Sequence, residues 1–378
     1  MVLTEKMTAY AESVREEVIQ LVRDMCAIPA PSNHEEKRAE FCKNWFEKNG
    51  FKNVETDSAF NVIAPVNVTE NNDLTVIMAH TDTVFPDLEP MPLFEKDGYM
   101  YCPGIGDDTA NLAVMMICAR YYKDNCPDNE GILFVANSGE EGLGNLKGTR
   151  KLMETYGSRV KNFVSLDSNC MDRLVVLAVG SHRYKITART EGGHSFGNFG
   201  NRNAIHVLAT MISALYSINV PEVGSSKTTF NVGTIEGGTS VNTIAQEASM
   251  TYEYRSDNKE CLEKMKMFFD KTVAMFQSSG VEIEVEILGE RPCMSEMKDP
   301  DGYAALKKRA VDSMHGITGL DVREESSSTD CNIPFAMGIS AVCFGVVRSA
   351  GTHTREEKLE IASLYDGCRL LLDFLYRK

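Results

Sequence analysis

The sequence lacks long apolar runs and a recognisable targeting segment. No apolar run approaches the ~20 residues that a membrane-spanning helix needs. Residues 1–6, Met-Val-Leu-Thr-Glu-Lys, have neither the basic start nor the apolar stretch of a signal peptide. From these absences we expect a cytoplasmic protein that does not insert into a membrane.

Basic residues and paired cysteine motifs are also scarce. The 39 lysines and arginines are outnumbered by 54 aspartates and glutamates, and a net charge of −15 has the wrong sign for binding phosphate groups or anionic lipid. We therefore expect neither nucleic acid nor a membrane as a partner. The 11 cysteines are odd in number, irregularly spaced and without a Cys-x-x-Cys pair, which favours reduced core thiols over disulfides.

The length and composition of the chain favour two globular domains. A chain of 378 residues is too long for one typical core, and a hydrophobic fraction of 43% is that of an ordinary globular protein. Strand and helix patterns alternate in residues 1–180 and 290–378, which predicts one discontinuous α/β domain with a largely parallel sheet flanked by helices. Residues 181–289 follow the order βαββαβ, which predicts an inserted ferredoxin-like domain. Near the N-terminus, Ser32-Asn-His-Glu35 has the form of a capping box for the second helix.

One predicted strand, Leu74–His80, ends in a pair of polar residues that could serve a metal. In an extended chain His80 and Asp82 point the same way, so Asp82 could hydrogen-bond one ring nitrogen of His80 while the other nitrogen faces a metal. A strand end where two polar residues meet water is the simpler alternative.

Other predicted elements also lead into acidic residues. One strand runs into Glu140 and Glu141, another runs into Asp167, and a glycine-rich turn runs into Asp107 and Asp108. We expect the two aspartates of the turn to cap the helix that follows them. Because open parallel sheets bind ligands beyond the carboxyl ends of their strands, these side chains could meet at one site.

Together these residue types suit a site for two metal ions. Two divalent cations held about 3.5–4 Å apart need carboxylate and imidazole ligands and a base for the water between them. A second imidazole is available from His353, just before a last helix that we predict over Arg355–Tyr376. Adjacent glutamates suit this chemistry because one can bind metal while the other stays free as an acid and base. The alternative for Glu140 and Glu141 is a solvated acidic turn.

The order of these signals resembles the M20 family of zinc-dependent metallopeptidases and amidohydrolases, in particular its peptidase T-like branch. The fold that the resemblance implies is a zinc-peptidase-like catalytic domain with an inserted domain. The matching stretches span nearly the whole chain, and they are His80-Thr-Asp82, Gly106-Asp-Asp108, Gly139-Glu-Glu-Gly142, Leu166-Asp167, Gly192-Gly-His-Ser195, Val241-Asn242 and Gly351-Thr-His353.

The resemblance implies two bound zinc ions, for which cobalt or manganese could substitute. By this likeness His80 and Asp167 bind the first zinc, Glu141 and His353 bind the second, and Asp107 bridges the two.

The resemblance also implies three roles for residues near the metals. Asp82 orients His80, and Glu140 is the general base that activates the water bridging the metals. The family usually has Asp-x-Lys-Gly where this chain has Asp107-Asp108-Thr-Ala, so Asp107 and Asp108 both stay open as the bridging ligand. We prefer Asp107, the first aspartate after the glycine turn.

In the predicted inserted domain, the resemblance points to three further residues. His194 matches a histidine that reaches the partner subunit's site, where it would stabilise the oxyanion, and this implies a homodimer through the inserted domain. Asn242 and Arg255 match residues that bind carboxylate or carbonyl groups of the substrate. The alternatives are a loop histidine for His194 and a surface charge for Arg255.

The substrate that the resemblance favours is a di- or tripeptide cleaved by an aminopeptidase, partly because Ser326–Pro334 looks peptidase T-like. An N-acyl-amino-acid deacylase of the same family is the runner-up. An aminopeptidase needs an acidic group for the substrate's α-ammonium, and Asp330 is a conceivable candidate.

Two other interpretations of the sequence stay open. Gly193-His-Ser-Phe-Gly197 is also a nucleophile-elbow pattern, with Ser195 as the nucleophile and Asp330 and His353 as triad partners. That interpretation requires a helix directly after Ser195, and it leaves the acidic strand ends without a purpose. The other interpretation is a peptide-binding relative that has lost catalysis.

Overall fold

The computed structural model describes residues 2–126 and 130–378. Met1–Ala178 and Ser295–Lys378 together make up a first unit, and Val179–Met294 make up a second unit. In the described part of the chain, no helix is both long and apolar enough to cross a membrane. All 11 cysteines lie in that part, and none of them forms a disulfide there.

The elements follow one another in three stretches of the chain. The first stretch contains α1 (Glu5–Ser13), α2 (Arg15–Cys26), α3 (Glu36–Lys48), β1 (Glu55–Thr56), β2 (Val62–Val66), β3 (Leu74–His80), β4 (Phe94–Lys96), β5 (Tyr99–Tyr101), α4 (Ala110–Asn125), β6 (Gly131–Asn137), α5 (Lys147–Tyr156), β7 (Val160–Ser165) and β8 (Arg173–Ala178). The second unit contains β9 (Gly180–Arg189), β10 (Gly193–His194), α6 (Ala204–Leu215), β11 (Thr228–Gly237), β12 (Thr243–Ile244), β13 (Glu247–Ser256), α7 (Lys259–Ser278) and β14 (Glu282–Arg291). The last stretch contains α8 (Pro300–Thr318), β15 (Arg323–Ser327), α9 (Asn332–Ala336), β16 (Ser340–Phe344), β17 (Ser349–Ala350), β18 (Lys358–Glu360) and α10 (Ser363–Tyr376).

The main sheet of the first unit is largely parallel. Among the described residues it has eight strands in the order β1-β2-β6-β3-β7-β16-β8-β15. Strand β3 pairs in parallel with β6 and β7, β16 pairs in parallel with β7, and β15 pairs in parallel with β8. Antiparallel pairs join β1 to β2, β2 to β6, and β8 to β16. The predicted α/β fold is therefore confirmed.

The core of the first unit lies between this sheet and its flanking helices. Strands β3 and β6 are buried at every position, as expected for central parallel strands that are covered on both faces. Helix α4 is buried along most of its length and contacts both β3 and α10. Its apolar residues surround the helix instead of forming one stripe, which is typical of a helix inside the core.

The last predicted helix is wrong at its N-terminal end. We expected it to begin at Arg355, but α10 begins at Ser363, and Lys358–Glu360 instead form strand β18. This strand pairs antiparallel with β5, and Leu359 points into the core. A pairing partner more than 250 residues away in the chain leaves no local signal in the sequence.

The second unit contains a four-stranded antiparallel sheet in the order β11-β13-β9-β14. Its strands and long helices follow one another in the order βαββαβ, with two short strands, β10 and β12, in the connections. Alternate residues of β13 are buried, because side chains in a strand point to opposite faces of the sheet. The buried residues of this unit form one apolar cluster that includes residues of both α6 and α7.

Candidate metal centre

Three neighbouring strands of the first unit, β6, β3 and β7, lead to predicted ligands at their carboxyl ends. In the paired register, His80 at the end of β3 lies opposite Asn137 at the end of β6. Leu166, the residue after β7, donates its backbone N–H to the carbonyl of Met78 at 2.7 Å. The segments leading to Glu140 and Asp167 therefore begin level with the end of β3, as expected where parallel strands end together.

His80 is buried, and its two ring nitrogens have different surroundings. Its Nδ1 lies 3.0 Å from the backbone carbonyl oxygen of Asp82, and its Nε2 lies 3.0 Å from Oδ1 of Asp107. A carbonyl oxygen can only accept, so Nδ1 carries the hydrogen in this bond and Nε2 is the nitrogen that a metal could bind. The carbonyl of Asp82 thus sets which nitrogen of His80 faces Asp107.

Asp107 lies between the two histidines of the site. Its Oδ1 is 3.0 Å from Nε2 of His80, and its Oδ2 is 3.2 Å from Nε2 of His353. Burial raises the pKa of Asp107, but the hydrogen bonds from His353 and His80 outweigh burial, and the net pKa is well below the ordinary value. Without metal, this carboxylate is therefore ionised and shared by two imidazole rings.

Asp108 has a different role from its neighbour. Its Oδ2 accepts the backbone N–H of His80 at 2.9 Å, and its side chain is buried. The expectation that Asp107 and Asp108 cap the next helix is wrong, because Thr109 occupies the N-cap position of α4. Both aspartates instead contact His80 from the turn before the helix.

Glu141 and His353 form the other side of the group. Nε2 of His353 lies 3.1 Å from Oε1 of Glu141. The hydrogen bond to Asp107, followed by the one to Glu141, raises the pKa of His353 to about 10. Burial raises the pKa of Glu141 to about 7, although the hydrogen bond from His353 opposes the increase. His353 has a backbone φ of 64°, and Gly351, two residues before it, has a φ of 80°.

Two overlapping groups of side chains have the spacing of metal ligands. Donor atoms of His80, Glu140 and Asp167 all lie within 4.8 Å of one another, and so do donor atoms of His80, Asp107 and Glu141. Burial raises the pKa of Asp167 well above its ordinary value, and the charges of Asp107 and Glu140 add to the increase.

These residues fit divalent metal ions. Carboxylate oxygens and imidazole nitrogens are the donors that zinc, manganese and cobalt accept in proteins. Several carboxylates buried within a few ångströms repel one another and lose hydration, so their ionised forms are costly unless cations compensate them. The imidazoles of His80 and His353 both contact Asp107, and His353 also contacts Glu141.

Asp82 anchors the segment that carries the two glutamates. Its carboxylate accepts the backbone N–H of Glu140 at 3.1 Å and that of Glu141 at 2.9 Å. It also accepts the hydroxyl of Ser32 at 2.7 Å, and its Oδ1 lies 3.5 Å from Nδ1 of His80. Asp82 therefore fixes the backbone of both glutamates as well as contacting His80.

Ser32 lies at the centre, although its sequence pattern predicts a helix cap. We expected a capping box, but Glu35 occupies the N-cap position of α3, and the Ser32 hydroxyl bonds to Asp82. Oε1 of Glu35 instead accepts the backbone N–H of Asn33, and Oε2 accepts from Lys147 at 2.8 Å. A Ser-x-x-Glu pattern cannot distinguish these partners, because Lys147 and Asp82 are distant in sequence.

Arg38 is a second residue that the sequence did not reveal. Its buried guanidinium donates to the carbonyls of Thr81, Met25 and Ile28 and to the hydroxyl of Thr109. Within residues 2–126 and 130–378, no carboxylate forms an ion pair with it. Because Thr81 lies between His80 and Asp82, Arg38 supports the backbone behind the centre.

Asp330 lies inside the first unit, where its side chain is buried away from solvent. It is completely buried, and its carboxylate accepts hydrogen bonds from the side chains of Asn137, at 2.7 Å, and Thr149. Burial raises the pKa of Asp330 to about 7, and the charge of Glu140 adds to the increase. These contacts disfavour Asp330 as the group that binds a substrate's ammonium.

His194 and Asn242 are neighbours within the second unit. Strand β10 pairs with β12, and the N–H of Ser195 donates to the carbonyl of Asn242 at 2.9 Å. Nδ1 of His194 accepts the backbone N–H groups of Phe196 and Gly197, each at 3.2 Å. In the neutral ring the hydrogen is therefore on Nε2, which leaves Nε2 as a donor.

Arg255 belongs to a different sheet of the second unit. It lies on β13, and its guanidinium donates to both carboxylate oxygens of Glu253, at 3.1 and 2.9 Å. The structure thus brings His194 and Asn242 together but not Arg255.

The nucleophile-elbow interpretation does not match this geometry. Residues 196–203 after Ser195 are turns and a short bridge, and α6 begins only at Ala204. The proposed triad partners are also engaged elsewhere, since His353 contacts Glu141 and Asp107 while Asp330 contacts Asn137.

Comparison with known proteins decides which family these residues come from. The sequence model of Peptidase family M20/M25/M40 matches residues 76–377 of this chain. The chain belongs to this family. The resemblance in the sequence is thus confirmed, and the M20 protein described here is a hydrolase.

Individual relatives of this M20 protein agree with the family match. The uncharacterized protein YqjE of Bacillus subtilis is 27% identical over 368 residues, which cover 92% of this chain and 94% of YqjE. A succinyl-diaminopimelate desuccinylase of Nitrosomonas eutropha is 26% identical over 314 residues, covering 77% of this chain and 79% of the relative. The crystal structure of a tripeptidase from Staphylococcus aureus has a TM-score of 0.77 at 24% identity, covering 96% of this chain and 97% of the other, so it shares the fold.

Proposed function

We propose that this protein is a two-zinc aminopeptidase that hydrolyses the amide bond of di- and tripeptides. The observation that carries the proposal is the place of Asp107, whose two carboxylate oxygens lie 3.0 and 3.2 Å from the imidazoles of His80 and His353. A carboxylate with one oxygen toward each of two imidazoles is the arrangement expected of a bridging ligand. Asp108, which contacts the backbone of His80 instead, is the weaker candidate for this role.

In this proposal the residues divide into two ligand sets joined by Asp107. His80 and Asp167 would hold one ion, Glu141 and His353 would hold the other, and cobalt or manganese could replace zinc. When bound, the ions would supply Lewis-acid polarisation of the substrate carbonyl and would lower the pKa of the attacking water.

Glu140 is the proposed general base and acid. It would take a proton from the attacking water and later give it to the leaving amine. Its backbone N–H is bonded to Asp82 at 3.1 Å, which supports a fixed position for the residue. One possible metal-binding atom each of Glu140, His80 and Asp167 lies within 4.8 Å of the others, and the Glu140→Gln variant distinguishes a base from a ligand.

The second unit would supply contacts to the substrate. We propose that Val179–Met294 includes the lid and dimerisation domain, that His194 donates from Nε2 to the oxyanion of the neighbouring subunit's reaction, and that Asn242 and Arg255 bind polar groups of the peptide. The acceptor bonds at Nδ1 of His194 support its part, since they leave the hydrogen of the neutral ring on Nε2. We also propose that the homodimer works in the cytoplasm.

An N-acyl-amino-acid deacylase is the second candidate, and the desuccinylase relatives favour it. The two candidates differ in what occupies the amino end of the substrate. Purified protein should be assayed with tripeptides and with their N-acetylated forms, each with zinc, cobalt and manganese. We expect free tripeptides to be cleaved and activity to disappear with a chelator. Cleavage of the acylated forms alone would favour the deacylase, and activity that survives metal removal would overturn the two-metal proposal.

A further inference from the structure

Glu357 is a buried carboxylate that belongs to none of the roles described above. Its Oε2 accepts the backbone N–H of Gly104 at 2.6 Å, and its Oε1 accepts those of Gly106 and Asp107, each at 2.9 Å. The side chain is completely buried. A buried carboxyl group that accepts three backbone N–H groups holds the segment that donates to it in place.

The segment around Glu357 has little space for any other conformation. Gly104 has a φ of 74°, which a residue with a side chain rarely adopts. A Cβ added at Gly106 would lie 2.1 Å from Oγ of Ser349 and 3.1 Å from Oε1 of Glu357. The turn before Asp107 is thus wrapped closely around the carboxylate, and its glycines are needed for that approach.

Glu357 also connects this turn to the segment that carries His353. Its backbone N–H donates to the carbonyl of Thr354 at 3.4 Å, and its carbonyl accepts the N–H of Cys102 at 3.2 Å. One residue therefore contacts both the segment that ends in Asp107 and the segment that begins at His353. The side chains of Asp107 and His353 meet at 3.2 Å.

We propose that Glu357 is a positioning residue for the metal centre, which acts by fixing the backbone of Asp107 relative to His353. It touches neither the substrate nor the ions in this proposal, and the inference rests on the proposed metal-binding function. Its effect should appear first in metal affinity and kcat, because it sets where a shared ligand lies. KM should change less, since Glu357 is buried away from solvent.

The test compares Glu357→Gln with the matched control Glu356→Gln. A glutamine offers one carbonyl oxygen and an amide that donates, so it cannot accept from all of Gly104, Gly106 and Asp107. Losing a partner of a metal ligand costs about 10–100-fold in metal affinity or activity. We expect a loss of that size in zinc affinity and kcat for Glu357→Gln, together with faster amide hydrogen exchange at residues 104–107. Glu356 is exposed, and its variant should match wild type.

The controls separate failure of this inference from failure of the proposed function. Calorimetric titration of wild-type protein with zinc comes first, and wild type that binds no metal would overturn both. Wild type that binds two ions, with Glu357→Gln binding them equally tightly, would overturn the role of Glu357 alone. If Glu357→Gln does not fold, Glu357→Asp keeps the charge but withdraws the carboxylate by one methylene. Its zinc affinity must then fall below that of Glu356→Gln, and equal affinities would refute the inference.

Discussion

The candidate ligands of the first unit lie close together and are mostly buried, although the His353 side chain is 54% exposed, whereas residues 194–200 of the second unit are all exposed. Asp107 contacts both His80 and His353, and its carboxylate is 16% exposed. Beside His194, the side chains of Phe196 and Phe199 are 89% and 91% exposed. The proposed metal site is therefore preformed, whereas the His194 loop presents a surface of the kind that usually meets a partner.

Glu140→Gln should produce the largest effect on the preformed side. If Glu140 moves the proton, turnover should fall by about 10²–10⁴-fold, because that is the usual contribution of general acid–base catalysis. The bound metal should remain, since a glutamine has nearly the same shape. Activity and metal content should be measured on the same preparation. Loss of metal from this variant would make Glu140 a ligand and contradict the assignment.

His194→Ala tests the exposed side of the comparison. Removing one donor to an oxyanion costs about 10²–10³-fold in kcat, so we expect a loss of that size with unchanged metal content and thermal stability. The readout is kcat against KM with a cleaved tripeptide. An unchanged kcat would return His194 to the role of an ordinary loop histidine.

Mixing two inactive variants shows whether His194 serves the neighbouring subunit. In a mixed dimer, the His194→Ala subunit supplies Glu140 and the Glu140→Gln subunit supplies His194, so one site becomes complete. Random reassociation of equal amounts should restore about a quarter of wild-type activity in a symmetric dimer. No recovery, although mixed dimers form, would place the action of His194 within its own subunit or exclude it.

Asp82→Asn should have a smaller effect than His80→Ala. His80→Ala removes a proposed ligand and should lose an ion, whereas Asp82→Asn alters the support of Glu140 and Glu141. We expect about 10–100-fold weaker metal binding or activity for Asp82→Asn, which is typical of a residue behind the ligands. Metal content after dialysis measures the difference. Equal metal loss from both variants would show that Asp82 is itself a ligand.

The smallest predicted effect is on the pH dependence of stability without metal. The pKa of His353 is raised from 6.5 to about 10, so its contribution is complete below pH 6.5 and is lost as the pH rises toward 10. The pKa of Glu141 is raised from 4.5 to about 7, so its contribution is likewise lost as the pH rises through 7. The Tm of metal-free protein should therefore fall by a few degrees between about pH 5 and pH 9.

Zinc should counteract this fall in Tm, because the metal takes the place of the protons on the same ligands. The Tm of protein saturated with zinc should exceed that of metal-free protein by more at about pH 8 than at about pH 6. Scanning calorimetry with and without a chelator gives both curves. A metal-free Tm that rises steadily over this range would show that other groups control the stability.

The fold and the candidate ligands could be predicted because their signals are local. Apolar runs that end in His80, Glu140 and Asp167 indicated parallel strands whose carboxyl ends meet, and the sheet has this arrangement. A strand end and the residues after it lie close together in the sequence, so their type and spacing are readable without knowledge of the rest of the chain.

The supports of the centre could not be predicted because their partners are distant in sequence. Arg38 lies in an ordinary helix, yet it donates to the carbonyl of Thr81. The carboxylate of Glu357 accepts from Gly104, although the sequence of the whole second unit separates these two residues in the chain. Ser32 matched a local capping pattern that loses in competition with Asp82. Which of several polar partners a side chain chooses depends on the assembled backbone.

The bond between Glu357 and the turn at Gly104 has a consequence for how the protein is made. It joins residues 253 positions apart, and the contact of Asp107 with His353 joins two similarly distant segments, so both wait for the C-terminal part of the chain. During translation the ribosome releases the N-terminal segment long before His353 is synthesised. If the proposed metal centre is correct, a growing chain would lack one of its ligands until His353 is made, and removal of the C-terminal segment would take that ligand away.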